Sequence, residues 1–198
     1  MIEFREKWNR IYSQDEPGKQ APASVLTHNA FLLPSTGSAL DLACGLGANA
    51  IFLAEHGLKV IALDISSTAI EKLNAYAASH QVSIEARQNA LSPASLQPSA
   101  FDVIVISRFL DRSLRDAIID ALKPGGLLFY QTFTRLKANP EGGPNNPAYL
   151  LDANELLDLF SRLQTVFYRD NAAIGDIRQG LRNEAQFVGQ KPHQETIK

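Results

Sequence analysis

Residues 39–49 read Ala39-Leu40-Asp41-Leu42-Ala43-Cys44-Gly45-Leu46-Gly47-Ala48-Asn49, and this stretch decides the fold. An apolar run leads into two glycines separated by one residue, and a helix-like pattern follows at once. A strand, a tight turn and a helix therefore succeed one another without a linker. Gly45 and Gly47 let the backbone come close to a ligand with no side chain between. In open α/β sheets, ligands bind outside the carboxyl ends of strands at turns of this kind.

The pattern repeats on both sides. Residues 38–43 form the first expected strand and 48–56 a helix closed by Gly57; 59–64 form a strand with Val60, Ile61 and Leu63 inside. Residues 66–80 form a helix that Ser66 or Ser67 can cap, with Ile70, Leu73 and Ala77 on one face. Strands are expected at 82–87 and 101–107, then a helix at 113–122 that Pro124-Gly125-Gly126 ends before a strand at 127–133. A helix at 153–160 and strands at 163–168 and 184–190 complete the chain, the last two as an antiparallel pair at the sheet edge. Alternating strands and helices define an α/β, doubly wound parallel sheet. Runs without polar alternation, such as Phe101-Asp102-Val103-Ile104-Val105-Ile106-Ser107, suit strands covered on both faces.

Two regions break the rhythm. Residues 1–35 hold two expected helices, 4–12 and 23–32, joined through Pro17-Gly18, and form an N-terminal cover for a main domain at 36–190. Residues 138–148 (Ala138-Asn139-Pro140-Glu141-Gly142-Gly143-Pro144-Asn145-Asn146-Pro147-Ala148) form a loop suited to a lid or recognition role. The tail, 191–198, is expected to fray.

Composition narrows the function. The 198 residues include 19 Lys and Arg against 21 Asp and Glu, a formal charge of -2. That balance offers no bulk attraction to nucleic acid or to anionic membranes. Cys44 is the single cysteine, which excludes internal disulfides and zinc ribbons and fits a reducing cytoplasm. The N-terminus lacks the apolar core of a signal peptide, and no run approaches the ~20 apolar residues of a membrane span. These features lead us to expect a cytoplasmic protein with no metal site, acting as a monomer or homodimer.

Two cofactor classes use such a turn. Gly45-x-Gly47-x-x-Ala50 with an acid at Asp64 matches a dinucleotide reader. Asp41, however, lies inside the first strand, where dinucleotide sites usually have an apolar residue. Phe101-Asp102 opens the fourth strand and Leu122-Lys123-Pro124-Gly125-Gly126 introduces the fifth. With these features the chain resembles the class I S-adenosylmethionine-dependent methyltransferases from residue 39 to about 190. Trp8-Asn9-x-x-Tyr12 and the Gly-x-Gly-Ala-Asn turn make it most similar to the small tellurite-resistance and thiopurine enzymes. The resemblance implies a Rossmann-like, seven-stranded, mostly parallel sheet with an antiparallel C-terminal edge hairpin. It implies S-adenosyl-L-methionine as cofactor and methyl transfer to a small-molecule acceptor by in-line displacement.

It also implies site residues: Asp41, Ala43, Gly45, Gly47, Asp64, Ile65, Asn89, Ala90 and Ser107 on the cofactor side. Asp64 can accept both ribose hydroxyls, because a carboxylate has acceptor capacity on both oxygens, or it caps the following helix. Asp41 holds the glycine turn and the ligand's amino end, or is structural. Ile65 lies against adenine or in the core. Asn89 stands where many relatives have an Asp, and either accepts from the adenine amino group or forms a turn. Cys44 reads as a small hydrophobe.

Methyl transfer from a sulfonium needs alignment more than acid or base. His56 and His80 end helices, where the dipole favours them, and His193 lies in the tail. His28 in the cover, Tyr12 and Arg108 remain as acceptor-side candidates. Arg108 and Arg112 could hold an anionic acceptor, while Asp111 and Arg115 could form an i,i+4 pair. Phe133 and Tyr149 are possible pocket walls. Asn146-Pro147-Ala148-Tyr149 resembles the Asn-Pro-Pro-Tyr signature of amino-group methyltransferases but follows the fifth strand, not the fourth, and lacks the second proline. A nucleic-acid substrate is disfavoured on that ground and on charge. Two other readings stay open: an NAD(P)-dependent oxidoreductase, disfavoured by the missing Tyr-x-x-x-Lys, and a non-catalytic S-adenosylmethionine sensor.

Overall fold

The computed structural model describes residues 2–193. After helices α1 (Ile2–Ser13) and α2 (Ser24–His28), the chain alternates β1 (Gly37–Leu42), α3 (Ala48–Glu55), β2 (Leu58–Asp64), α4 (Ser67–His80) and β3 (Ile84–Gln88). There follow β4 (Phe101–Ser107), α5 (Arg115–Ala121), β5 (Leu122–Phe133), α6 (Glu155–Leu159), β6 (Gln164–Asp170) and β7 (Glu184–Gln190). The seven strands form one sheet in the order β3-β2-β1-β4-β5-β7-β6. The first five are parallel, and β7 runs antiparallel between β5 and β6.

Successive residues of the central strands face opposite layers, as the period of two requires. Leu40, Leu42, Ile104, Ile106, Leu128 and Tyr130 pack with Ile118 of α5 and Leu156 of α6. Ala39, Val103, Val105 and Phe129 pack with Val25 and Leu26 of α2, Leu53 of α3 and Leu73 of α4. The strand order reverses direction at β1 and β4, so the carboxyl ends of these two strands flank a crevice. No helix among the described residues is long and apolar enough to cross a membrane.

Several local expectations need correction. Pro124-Gly125-Gly126 lies inside β5 rather than before it: Leu122 pairs with Phe101, and the register shifts before Val103 pairs with Leu127. Gly125 takes the left-handed conformation (φ +80°) that this irregularity requires. The helix expected at 23–32 breaks at Asn29, whose side chain donates to the Val25 carbonyl (2.8 Å), and continues as a 3₁₀ turn. The helix expected at 113–122 likewise begins as a 3₁₀ turn, Arg112–Leu114. The tail is anchored at its start, where the Lys191 N–H donates to Gly126 O (2.9 Å) and Nζ to Leu122 O (2.7 Å). Residues 194–198 of the expected frayed tail lie outside the described residues.

Candidate cofactor and acceptor site

A cavity of about 750 Å³ opens above the carboxyl ends of β1, β2 and β4, well within the range of small-molecule sites. Its floor is the turn after β1. Ala43 and Gly45 both adopt positive φ (57° and 53°), which a strand entering a helix this abruptly demands. For Ala43 that conformation costs about 1–2 kcal/mol, offset where Cys44 N–H reaches Leu63 O (3.0 Å) and Gly47 N–H reaches Cys44 O (2.9 Å).

Asp64 ends β2 at the cavity wall, nearly buried. Its Oδ2 accepts the Gly45 N–H (2.9 Å) and its Oδ1 the Ser66 N–H (2.8 Å). One carboxylate thus pins the glycine turn to the start of α4, where Ser66 Oγ caps by accepting from Ala69 N–H (3.2 Å). A carboxylate has roughly four acceptor sites, so about two remain on Asp64. Burial raises its pKa.

Ala43, Gly45, Asp64, Ile65, Asn89, Ala90, Ser107, Tyr12 and Arg108 all line this cavity. Three predicted residues do not. Asp41 is wholly buried beneath the turn: its Oδ2 accepts the Ala50 N–H (3.0 Å) in the first turn of α3, and its Oδ1 has no partner. Burial pushes its pKa up to about 7. Gly47 (φ +79°) faces α4, since a Cβ there would come within 2.5 Å of Leu73 methyl carbons. His28 is exposed and apart from the cavity. Asn89 contributes to a turn, with Oδ1 accepting from Ser95 Oγ (2.8 Å). Cys44 is buried, and burial raises its thiol pKa, as for a packed hydrophobe.

The upper wall comes from α1. Phe4 meets Trp8 edge to face, and Trp8 stacks on Tyr12 with centroids 5.5 Å apart. A Cβ on Gly45 would lie 2.8 Å from the Tyr12 hydroxyl, so this ring covers the glycine turn directly. Burial first, then the Asp64 charge, raises the Tyr12 pKa, so the phenol stays protonated. Phe109 and Phe133 face the cavity, whereas Tyr149 does not. Arg112 is unavailable to a ligand, because Nη2 donates to Glu155 Oε2 (2.9 Å) and the guanidinium also bonds the Ala148 and Leu150 carbonyls. It thereby fastens the end of the 138–148 loop. Arg115 pairs with Asp116, and Asp111 caps Ser113, so the expected Asp111–Arg115 pair does not form.

Sequence reading missed the residues that assemble these walls. Asn49 Oδ1 accepts the Ala23 N–H (2.8 Å) while its Nδ2 donates to Ser107 Oγ (3.0 Å), joining the cover to α3 and β4. Gln131 Oε1 accepts the Val25 N–H (2.8 Å), and its amide donates to Glu184. Asn9 Oδ1 accepts from Ser66 Oγ (2.7 Å), fixing α1 on α4. Asn49, inside the quoted turn, and Asn9, inside Trp8-Asn9-x-x-Tyr12, stood in motifs that gave no sign of these partners. Among the described residues, no group of three or more His, Cys, Asp and Glu is placed to hold a metal ion.

With this geometry in hand, the fold can be set beside those of known proteins. Residues 39–126 match the methyltransferase domain family, and the sheet order with its antiparallel β7 is that of solved S-adenosylmethionine-dependent methyltransferases. The fold is that of the class I S-adenosylmethionine-dependent methyltransferases.

TehB from Haemophilus influenzae superposes with a TM-score of 0.70 at 21% identity, over 87% of this chain and 63% of that one. A putative S-adenosylmethionine-dependent methyltransferase from Listeria monocytogenes gives 0.64 at 14% identity, over 86% and 98%. In sequence, the ubiquinone biosynthesis O-methyltransferase of Chelativorans sp. (strain BNC1) is 35% identical over 50% of this chain and 42% of its own length. The cypemycin N-terminal methyltransferase of Streptomyces sp. is 32% identical over 63% and 52%. The chain thus spans about half the length of the curated relatives it matches.

Proposed function

We propose that this chain transfers a methyl group from S-adenosylmethionine to a small-molecule acceptor. The observation that supports this best is the meeting of Gly45 and Asp64 at the cavity floor: a backbone that a Cβ would obstruct, beside a carboxylate with acceptor capacity left over. In this reading Asp64 accepts from the ribose hydroxyls, Gly45 and Ala43 lie along the amino-acid end, and Ile65, Asn89 and Ala90 flank the base. Ser107 stands beside the amino-acid end, kept there by Asn49. Asp41 and Gly47 act from behind, the first by holding the α3 N-terminus and the second by letting the turn approach Leu73 of α4.

When bound, S-adenosylmethionine supplies a methyl group already activated on a sulfonium. The residues of the chain then have one task, to hold the acceptor in line and keep water out. Well-oriented reactants can gain ~7–11 kcal/mol from positioning alone. Trp8, Tyr12, Phe109 and Phe133 supply that sleeve. The protonated Tyr12 hydroxyl serves as a donor and not as a base. Residues 1–35 form the cover, and the formal charge of -2 favours a small acceptor over nucleic acid.

Titration calorimetry with S-adenosylhomocysteine and, separately, NADH tests the reading. Binding of the homocysteine nucleoside alone supports it; heat only with NADH refutes it. Release of S-adenosylhomocysteine from S-adenosylmethionine on adding a metabolite extract separates turnover from sensing.

A further inference from the structure

Arg108 is set apart from the other cations of the chain. It directly follows β4 at φ +52°, a conformation rare for a side chain of its size, held by its N–H on the Gln131 carbonyl (2.8 Å). Its Nε donates to Glu184 Oε1 (3.1 Å). Glu184 is only 8% exposed, and its other oxygen accepts from the Gln131 amide. Gln131 is fixed in turn by the Val25 N–H and by Gln186 Nε2 (3.0 Å). A buried carboxylate, bonded through both oxygens, thus braces the inner edge of the guanidinium. The side chain itself is 69% exposed on the cavity wall, and neither Nη atom hydrogen-bonds to a described residue.

Resting on the methyltransferase reading above, we infer that the terminal edge of Arg108 anchors a carboxylate of the methyl acceptor, with Glu184 as its positioning residue. The two Nη groups form the fork that matches a carboxylate bidentately. Trp8, Phe109 and Phe133 line the same cavity with aromatic rings, so the acceptor class is a planar, aromatic carboxylic acid. Asp111 lines the same cavity, with Oδ1 engaged by Ser113 N–H (2.9 Å) and Oγ (2.6 Å). Its charge cancels any diffuse attraction for anions, so recognition rests on directed bonds. Arg112, the neighbouring cation, is committed to Glu155 and cannot substitute.

The carboxylate could come from the acceptor or from the cofactor's own amino-acid end, and calorimetry on the full chain distinguishes them. With S-adenosylhomocysteine saturating, benzoate, salicylate and 4-hydroxybenzoate are each titrated against the corresponding neutral amide. At least one acid should bind about 10- to 100-fold more tightly than its amide, the worth of a charge-assisted contact. Arg108→Gln should abolish that preference with the nucleoside's Kd unchanged, Arg108→Lys should restore part of it, and Glu184→Gln should reduce it. Equal binding of acid and amide, no binding of any acid, or a preference surviving Arg108→Gln overturns the inference. So does an Arg108→Gln chain that loses nucleoside affinity instead, since the edge then serves the cofactor. Absence of nucleoside heat with the unmodified chain is a different failure, that of the methyltransferase reading itself.

Discussion

Asp64→Asn separates two jobs that the structure gives to one side chain. The carboxylate accepts the Gly45 N–H on one oxygen and the Ser66 N–H on the other. An amide keeps one acceptor and presents an NH₂ to the other donor, so one of the two buried N–H groups loses its partner. Leaving such a group unsatisfied costs about 1–3 kcal/mol. In a chain of this size that lowers the melting temperature by roughly 2–4 °C per kcal/mol. Separately, the charge-assisted bonds proposed to the ribose hydroxyls disappear, weakening S-adenosylhomocysteine by about 10- to 100-fold. Differential scanning calorimetry without ligand reads the first effect and isothermal titration the second. A variant that melts lower yet binds the nucleoside with unchanged affinity would show that Asp64 is only a structural pin, and the ribose assignment would be wrong.

Three further outcomes are expected. Asp41 titrates near 7 in the fold against 3.8 ordinarily, so its protonated form is favoured by folding; that stabilisation is complete below pH 4 and lost as pH rises through 7. The displacement corresponds to about 4 kcal/mol at most, so urea titrations should show Asp41→Asn flattening the stability profile between pH 4 and 7; parallel profiles would contradict this. Gly47→Ala should lower stability by about 1–3 kcal/mol through its left-handed backbone and the contact with Leu73, and leave nucleoside affinity intact. Gly45→Ala should instead displace Tyr12 and weaken binding, and titration of both variants decides whether the two glycines differ in this way. Arg112→Ala should speed amide exchange across residues 138–152 and cost about 1–3 kcal/mol without altering nucleoside binding. Unchanged exchange there would mean the loop is held by other contacts.

The sheet was legible because its signals are local. The apolar runs of β1, β2 and β4 and the helix patterns between them announce a parallel sheet wherever they occur. The edge pair β6 and β7 followed from the same reasoning. β5 was cut short because Pro and Gly usually punctuate, and nothing local tells a bulged strand from a turn. At the site, Gly45 and Asp64 were visible as a motif, whereas the different fate of Gly47 depended on Leu73, 26 residues away in the chain. Asn49, Gln131 and Glu184 escaped notice for the same reason: their partners lie 26 to 107 residues distant, and a lone buried amide has no sequence signature. Arg112 was misread because its partner, Glu155, belongs to another helix.

No residue of helix α1 is fully buried, although Phe4, Trp8 and the half-buried Tyr12 roof the cavity. Apart from those rings it is moored by the Asn9 amide and by Lys72, which reaches the carbonyls of Ser13 and Asp15. Lifting it would break these few tethers and leave the strand pairings of the sheet in place. Substitutions at these tethers should therefore loosen the roof of the cavity without weakening the sheet beneath it.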